Sequence, residues 1–132
     1  MPIQVAITGV DYGQNTETVY GTLTFTGNYP ANGDPLSFLG FDQIKASNGP
    51  IRVYIQEQPA VGAAQLQSGF QYCYNNVPNL TGGPASNGLA TGKVQVLQGG
   101  GSAAPSAEFP AGAYPAAIKN AVVVFEAVFA AV

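Results

Sequence analysis

The sequence contains no histidine and one cysteine, and only 8% of its 132 residues are charged. Without histidine, the usual Ser-His and Cys-His catalytic arrangements are excluded. A zinc site built from histidine or from several cysteines is also excluded, because the chain has no histidine and one cysteine. Cys73, between Tyr72 and Tyr74, has no second cysteine with which to form a disulfide inside the chain. We interpret it as a small buried or half-buried residue of a strand.

Basic residues are too few for a nucleic-acid interface. The four of them are spread along the chain and the net charge is −3, so no patch could neutralise several phosphates together. The charged fraction is also far below the roughly 25% of an ordinary soluble domain. Because a surface with few charges has little repulsion between copies, the composition favours a protein that packs against other subunits.

Acidic residues form no recognisable site. None of the seven falls in an acid/base motif or a calcium-loop motif, and most lie next to turn-forming residues. We therefore predict solvated loop carboxylates, no metal site, no cofactor and no enzymatic activity. The seven are Asp11, Glu17, Asp34, Asp42, Glu57, Glu108 and Glu126.

Long apolar runs are missing as well. The first residues lack a basic start followed by an apolar run, so we predict no secretory signal and expect synthesis in the cytoplasm. The most apolar segment, 121–132, is too short for a membrane span and contains Glu126. We predict no membrane partner. The alanines of this segment would suit a helix, but its consecutive valines and its alternation favour a buried strand.

The residues that are abundant are those of strands and turns. The chain has seventeen glycines, ten prolines, seven tyrosines and seven phenylalanines. Apolar side chains alternate with polar ones in several segments, for example Ile3, Val5 and Ile7, and no segment between them has helical periodicity. We predict a single all-β domain over residues 1–132, an antiparallel β-sandwich that is jelly-roll-like.

Further strands are predicted by the same alternation. They are TVYGTLTFT with Val19, Leu23 and Phe25 in phase, IRVYIQ with Val53 and Ile55, GFQYCYN with Phe70, Tyr72 and Tyr74, GKVQVLQ with Val94 and Val96, and the C-terminal run with Val123, Phe125, Ala127 and Phe129. Gly21, inside the second strand, indicates a bulge or a close crossing.

Loops are predicted from glycine and proline. Residues 27–35, GNYPANGDP, indicate a tight surface turn, after which Leu36, Phe38 and Phe41 return to the core. The segments 77–91 and 99–107 are predicted loops by composition. The seven tyrosines could stack on sugar rings, or they could fill the core and subunit contacts, and we favour the second interpretation.

Several of these segments resemble the small virion structural proteins encoded in the head-gene regions of tailed bacteriophages. The resemblance is carried by TLTFTGNYPANGDPLSF, GFQYCYN, KVQV, AEFPAGAYPAAI and VVVFEAVF. Its most specific parts are the turn between Thr26 and Phe38 and the segment from Glu108 to Tyr114. Those proteins resemble capsid decoration, or cement, proteins.

The resemblance implies a structural function. It implies a jelly-roll-like sandwich that forms a homo-oligomer, expected to be a trimer, binds the major capsid protein on the outer surface of the capsid and stabilises the shell. The localisation implied is the virion. We expect Pro2, Ile3 and Val5 to contact the shell, and Phe109 and Tyr114 to contact neighbouring subunits.

Other functions remain compatible with the sequence. The alternative is a glycan- or receptor-binding β-sandwich of a phage spike or tail fibre, in which exposed tyrosines and loop Asn or Asp residues hold a glycan. An enzyme would require carboxylate chemistry without a known motif. A subunit that polymerises by itself into tubes or shells is a further possibility.

Overall fold

The computed structural model describes residues 3–58, 70–76, 87–98 and 107–130. The elements are β1 (Ile3–Tyr12), β2 (Thr16–Phe25), β3 (Asn28–Tyr29), β4 (Asp34–Leu36), β5 (Arg52–Gln58), β6 (Gln71–Asn75), β7 (Gly92–Gln98), β8 (Ala107–Glu108), β9 (Gly112–Ala113), α1 (Ala116–Lys119) and β10 (Val122–Ala130).

The strands form two main sheets. One has the order β1-β2-β10-β5, and the other has the order β4-β7-β6 with β8 paired to β7. A small third sheet joins β3 to β9. Every pairing between described strands is antiparallel. The prediction of an all-β antiparallel sandwich is confirmed, and its jelly-roll form stays a prediction.

The two main sheets bury their inward-facing side chains against each other. The Phe25 ring of β2 stacks on the Tyr72 ring of β6 with 5.2 Å between centroids. The Phe38 ring, from the loop after β4, lies 5.8 Å from that of Phe125 in β10. The aliphatic part of this core is supplied by every second residue of the strands, because successive side chains point to opposite faces. It includes Val19, Leu23, Leu36, Val94, Val96 and Val123.

The alternation in the sequence therefore predicted the inner face correctly. Val19, Leu23 and Phe25 of β2 are buried, and Ile3 is buried at the start of β1. The C-terminal run is a strand, with Phe125 and Phe129 in the core. Phe41 packs half-buried against the same core.

Gly21 marks both a bulge and a close approach, as predicted. The β1–β2 register passes from Ile7 opposite Gly21 to Gly9 opposite Tyr20, so Thr8 is the extra residue of a β-bulge. A Cβ at Gly21 would collide with the carbonyl oxygen of Ala6 and with the ring of Phe125. Only glycine fits between these two strands at this point.

The segment 27–35 is more than a surface turn. A turn is present, since the Gly33 N–H donates to the Pro30 carbonyl at 3.2 Å and Asn32 has a φ of 72°. However, Tyr29 and Asp34, on either side of it, are buried. The prediction of a tight turn is confirmed, whereas the prediction that the whole segment lies at the surface is wrong.

Two other expectations are corrected. Cys73 belongs to strand β6, but its side chain is exposed because it alternates with the inward-facing Tyr72. Glu17, Asp34 and Glu57 are buried and are not solvated loop carboxylates. Of the predicted loops at 77–91 and 99–107, residues 77–86 and 99–106 lie outside the described residues. Residues 87–91 form no strand or helix, as predicted, whereas Ala107 belongs to β8.

One short helix, α1, precedes β10. In the ranges that the structure describes, no helix has the length and apolar character needed to cross a membrane.

Candidate functional site

The residues predicted to contact partners lie mostly in or against the core. Ile3 pairs with Phe25 and is buried, and Tyr114 is buried beside Asp34. Val5 packs half-buried against the core. In this fold the side chains of Ile3 and Tyr114 are therefore not accessible to a partner, so only neighbouring groups of these segments could make the predicted contacts.

Phe109 is the more accessible of the two predicted subunit contacts. Its half-buried ring lies 5.8 Å from that of Tyr29 and 5.4 Å from that of Phe70. Pro2 lies outside the described residues. A role of these two segments in binding stays a prediction.

The face of the first sheet that points away from the core carries a row of three side chains on neighbouring strands. Glu126 of β10 is paired with Tyr20 of β2 on one side and with Tyr54 of β5 on the other. The two tyrosines are 40% and 58% exposed. We call these three residues the outer row. Two tyrosines thus flank one glutamate across three neighbouring strands.

A cleft of about 350 Å³ lies along the outer row. Besides the three side chains it is lined by Thr8, Gly21, Gln56, Val124 and Phe125. The bulge at Thr8 borders it, and the Thr8 hydroxyl donates to the Tyr20 carbonyl at 3.3 Å. Gly21 itself is buried on the inner face of β2, where it lies against the Ala6 carbonyl and the Phe125 ring.

The loop between β4 and β5 is fixed at one end of the sandwich by a buried carboxylate. The Glu17 carboxylate accepts hydrogen bonds from the backbone N–H groups of Lys45, at 3.0 Å, and Ala46, at 3.1 Å. The Tyr12 hydroxyl donates to the Gln43 carbonyl at 2.5 Å. Side chain to backbone bonds of this kind hold a loop in one conformation.

This end of the sandwich, which we call the loop end, exposes large apolar side chains. Leu39 of the loop is 64% exposed, and Ile51, next to the start of β5, is 57% exposed. The Ile51 N–H donates to the Val128 carbonyl at 2.7 Å, which fixes the residue beside the end of β10. The loop end therefore presents apolar side chains on an anchored backbone.

An asparagine network secures the same end from the second sheet. The Asn87 side-chain amide donates to the carbonyls of Gly49 and Pro50 at 3.3 and 3.2 Å. The Asn76 amide donates to the Gly88 carbonyl at 3.0 Å and to the Tyr74 hydroxyl at 3.1 Å. Burial raises the pKa of Tyr74 to about 12. These groups bond one another, which indicates a structural role.

Two tyrosine–carboxylate pairs, one buried and one partly buried, connect the segments around β3 and β9. The Tyr114 hydroxyl donates to Asp34 Oδ2 at 2.5 Å, and the Tyr29 hydroxyl donates to Glu108 Oε2 at 2.5 Å. The rings of Tyr29 and Tyr114 lie 5.9 Å apart, edge to face. Burial, with the neighbouring carboxylate, raises the pKa of both phenols well above the usual value.

The buried carboxylate of Asp34 has a hydrogen-bond partner among the described residues for only one of its two oxygens, Oδ2, and none for Oδ1. Burial raises the pKa of Asp34, although the hydrogen bond from Tyr114 opposes the shift. Within the described ranges, no group of three or more Cys, Asp and Glu side chains that could hold a metal ion is present.

Comparisons with protein-family models, curated proteins and solved structures give no match. The function proposed below is therefore supported by the geometry of this chain and by the pattern of its sequence.

Sequence reasoning missed the outer row. Tyr20, Tyr54 and Glu126 stand at the polar positions of their strands, so the alternation does indicate that they face outward. Their meeting in one row depends on strand order and register, which the alternation does not give.

Proposed function

We propose that this chain is a structural virion protein that binds the outer surface of a bacteriophage capsid as an oligomer and stabilises it. The observation that supports the proposal best is the loop end, where Leu39 and Ile51 stand exposed on a backbone fixed by buried hydrogen bonds. Large apolar side chains exposed on an ordered backbone suit protein–protein contacts.

The loop end suits contact between subunits in particular. Neither Leu39 nor Ile51 is charged, and the chain as a whole has only eleven charged residues out of 132, four basic and seven acidic. Little charge repulsion therefore opposes the approach of a second copy. Because the backbone of this end is already ordered, little conformational entropy is lost when it is buried in a contact.

Stabilisation would follow from mass action. A protein that binds only the assembled shell stabilises it by its binding free energy. An oligomer multiplies weak individual contacts, because once one subunit has bound, the others are held at a high effective concentration near their sites. This mechanism requires no catalytic group.

The first test is the native mass in solution, measured by light scattering after size exclusion at micromolar concentration. We expect a stable trimer that co-sediments with heads of a tailed phage. The double variant Leu39→Asp, Ile51→Asp should shift the mass toward the monomer, because it places carboxylates in the contact. The control is Thr24→Asp, an exposed residue near the opposite end of β2.

The results separate the alternatives. A wild-type monomer that does not sediment with heads would contradict the proposal. Large regular polymers would show a self-assembling shell or tube subunit in its place. If the wild type is a trimer and both variants remain trimers, the loop end is not the subunit contact.

A further inference from the structure

We propose that the outer row is a carbohydrate-binding subsite that accepts one neutral pyranose ring. This inference is independent of the proposed binding to a capsid, since the outer row lies on a sheet face and the loop end lies at the end of the strands. The observation that supports it is the strand register, which places Tyr20, Glu126 and Tyr54 side by side.

The geometry of the row fits a ring with one apolar face and a hydroxylated edge. Neighbouring strands are about 4.8 Å apart, so the backbones that carry the two tyrosines are separated by about 10 Å, with Glu126 between them. Tyrosine presents a flat apolar ring against which the C–H face of a sugar can pack. The cleft of about 350 Å³ falls at the lower end of the size range of small-ligand sites.

Polar groups suited to sugar hydroxyls surround the rings. The Glu126 carboxylate can accept hydrogen bonds from two adjacent hydroxyls, and bonds to a charged acceptor are stronger than neutral ones. Gln56 lines the same cleft and offers both a donor and an acceptor. The lining thus combines aromatic surface with a few polar groups, as small-ligand sites do.

The charges of the face favour a neutral ligand. Arg52 lies two residues from Tyr54 on the same face of β5, so the face carries a cation as well as the Glu126 carboxylate. A phosphate or a nucleic acid would meet the carboxylate, and a cationic group would meet the arginine. A neutral sugar avoids both repulsions and can hydrogen-bond to the Glu126 carboxylate.

The test uses the full chain on an array of printed glycans and, in solution, titration with glucose, galactose, mannose, rhamnose and N-acetylglucosamine. Since the chain has no tryptophan, its intrinsic fluorescence comes from its seven tyrosines, and a sugar that stacks on Tyr20 or Tyr54 would change the part of the signal that these two contribute. We expect at least one pyranose to change this fluorescence at millimolar concentration. Tyr54→Leu and Tyr20→Leu should each weaken binding about tenfold, and Glu126→Gln should also weaken it.

A matched control is available in Tyr12→Leu. Tyr12 is exposed to nearly the same extent as Tyr54, but it lies at the end of β1 and away from the outer row. Binding should be unchanged in this variant. Circular dichroism and urea unfolding of each variant will show whether a loss of binding comes from a loss of folding.

The possible results each decide the matter. Binding that is lost in the outer-row variants and kept in the control supports the subsite. No binding of any glycan, or binding that the outer-row variants leave unchanged, overturns it. A response to choline but to no sugar would also overturn it, because two tyrosines and a carboxylate would then be holding a cation. None of these results depends on whether the chain trimerises.

Discussion

The hydroxyl of Tyr114 is the only partner that the described residues give to the buried carboxylate of Asp34. Tyr114→Phe removes that hydroxyl and leaves the ring, so packing against Phe25 and Tyr29 is preserved. A buried carboxylate without a hydrogen bond is destabilising, and we expect the free energy of unfolding to fall by about 1–3 kcal/mol. Urea unfolding with an unchanged m-value would measure this loss.

The control for this substitution is Tyr54→Phe, which removes the hydroxyl of an exposed tyrosine. Its free energy of unfolding should stay within about 0.5 kcal/mol of the wild type. Equal effects of the two substitutions would mean that the Tyr114–Asp34 hydrogen bond does not stabilise the fold.

Asp34 should make stability depend on pH in the acidic range. Because burial raises the pKa of Asp34 above its ordinary value of 3.8, the fold favours the neutral carboxyl. The stabilising contribution of this group is therefore fully present below pH 3.8 and is lost as the pH rises through the raised pKa of the folded state.

The variant Asp34→Asn cannot titrate at this position and isolates the effect. As the pH rises from below 3.8, the free energy of unfolding of the wild type should fall relative to that of Asp34→Asn. Urea unfolding of both proteins across this range will measure the difference. Parallel pH profiles would show that burial does not disfavour the charged form of Asp34.

At the scale of the strand pair, Gly21 determines how β1 and β2 fit together. Gly21→Ala would place a Cβ against the Ala6 carbonyl and the Phe125 ring, so backbone and core must both shift. We expect a loss of about 1–3 kcal/mol, the usual cost of overpacking. Thermal or urea unfolding will show it as a lower midpoint.

The same two strands supply a matched control in Gly9→Ala. A Cβ at Gly9 would have only the Tyr20 ring within 4 Å, at an ordinary contact distance of 3.9 Å. This variant should have nearly wild-type stability. If Gly9→Ala is as destabilising as Gly21→Ala, the effect comes from the general cost of changing a glycine and not from the close approach at the bulge.

The strands themselves could be predicted from the sequence because their burial repeats with a period of two. Val19, Leu23 and Phe25 illustrate this, since they occupy alternate positions of β2 and each is buried in the core. The segment 27–35 could not be predicted in the same way. Its buried residues, Tyr29 and Asp34, have partners 79 and 80 residues away, and local turn preferences contain no information about such distant contacts.

At the scale of the whole molecule, strand order was not predictable. The last strand, β10, lies between β2 and β5, and this insertion is what places Glu126 between two tyrosines. A pattern of alternating residues specifies which face a side chain occupies, but not which strand is its neighbour. The candidate carbohydrate subsite therefore emerges only from the folded chain.

The exposed thiol of Cys73 has a practical consequence for experiments on assemblies of this protein. Because the chain has a single cysteine and its side chain is exposed on β6, a thiol-reactive dye attaches one fluorophore to each subunit. The brightness of a particle divided by that of one labelled chain then counts the copies that it carries. The number of subunits in a free oligomer, and the number bound to a phage head, can be read from the same preparation.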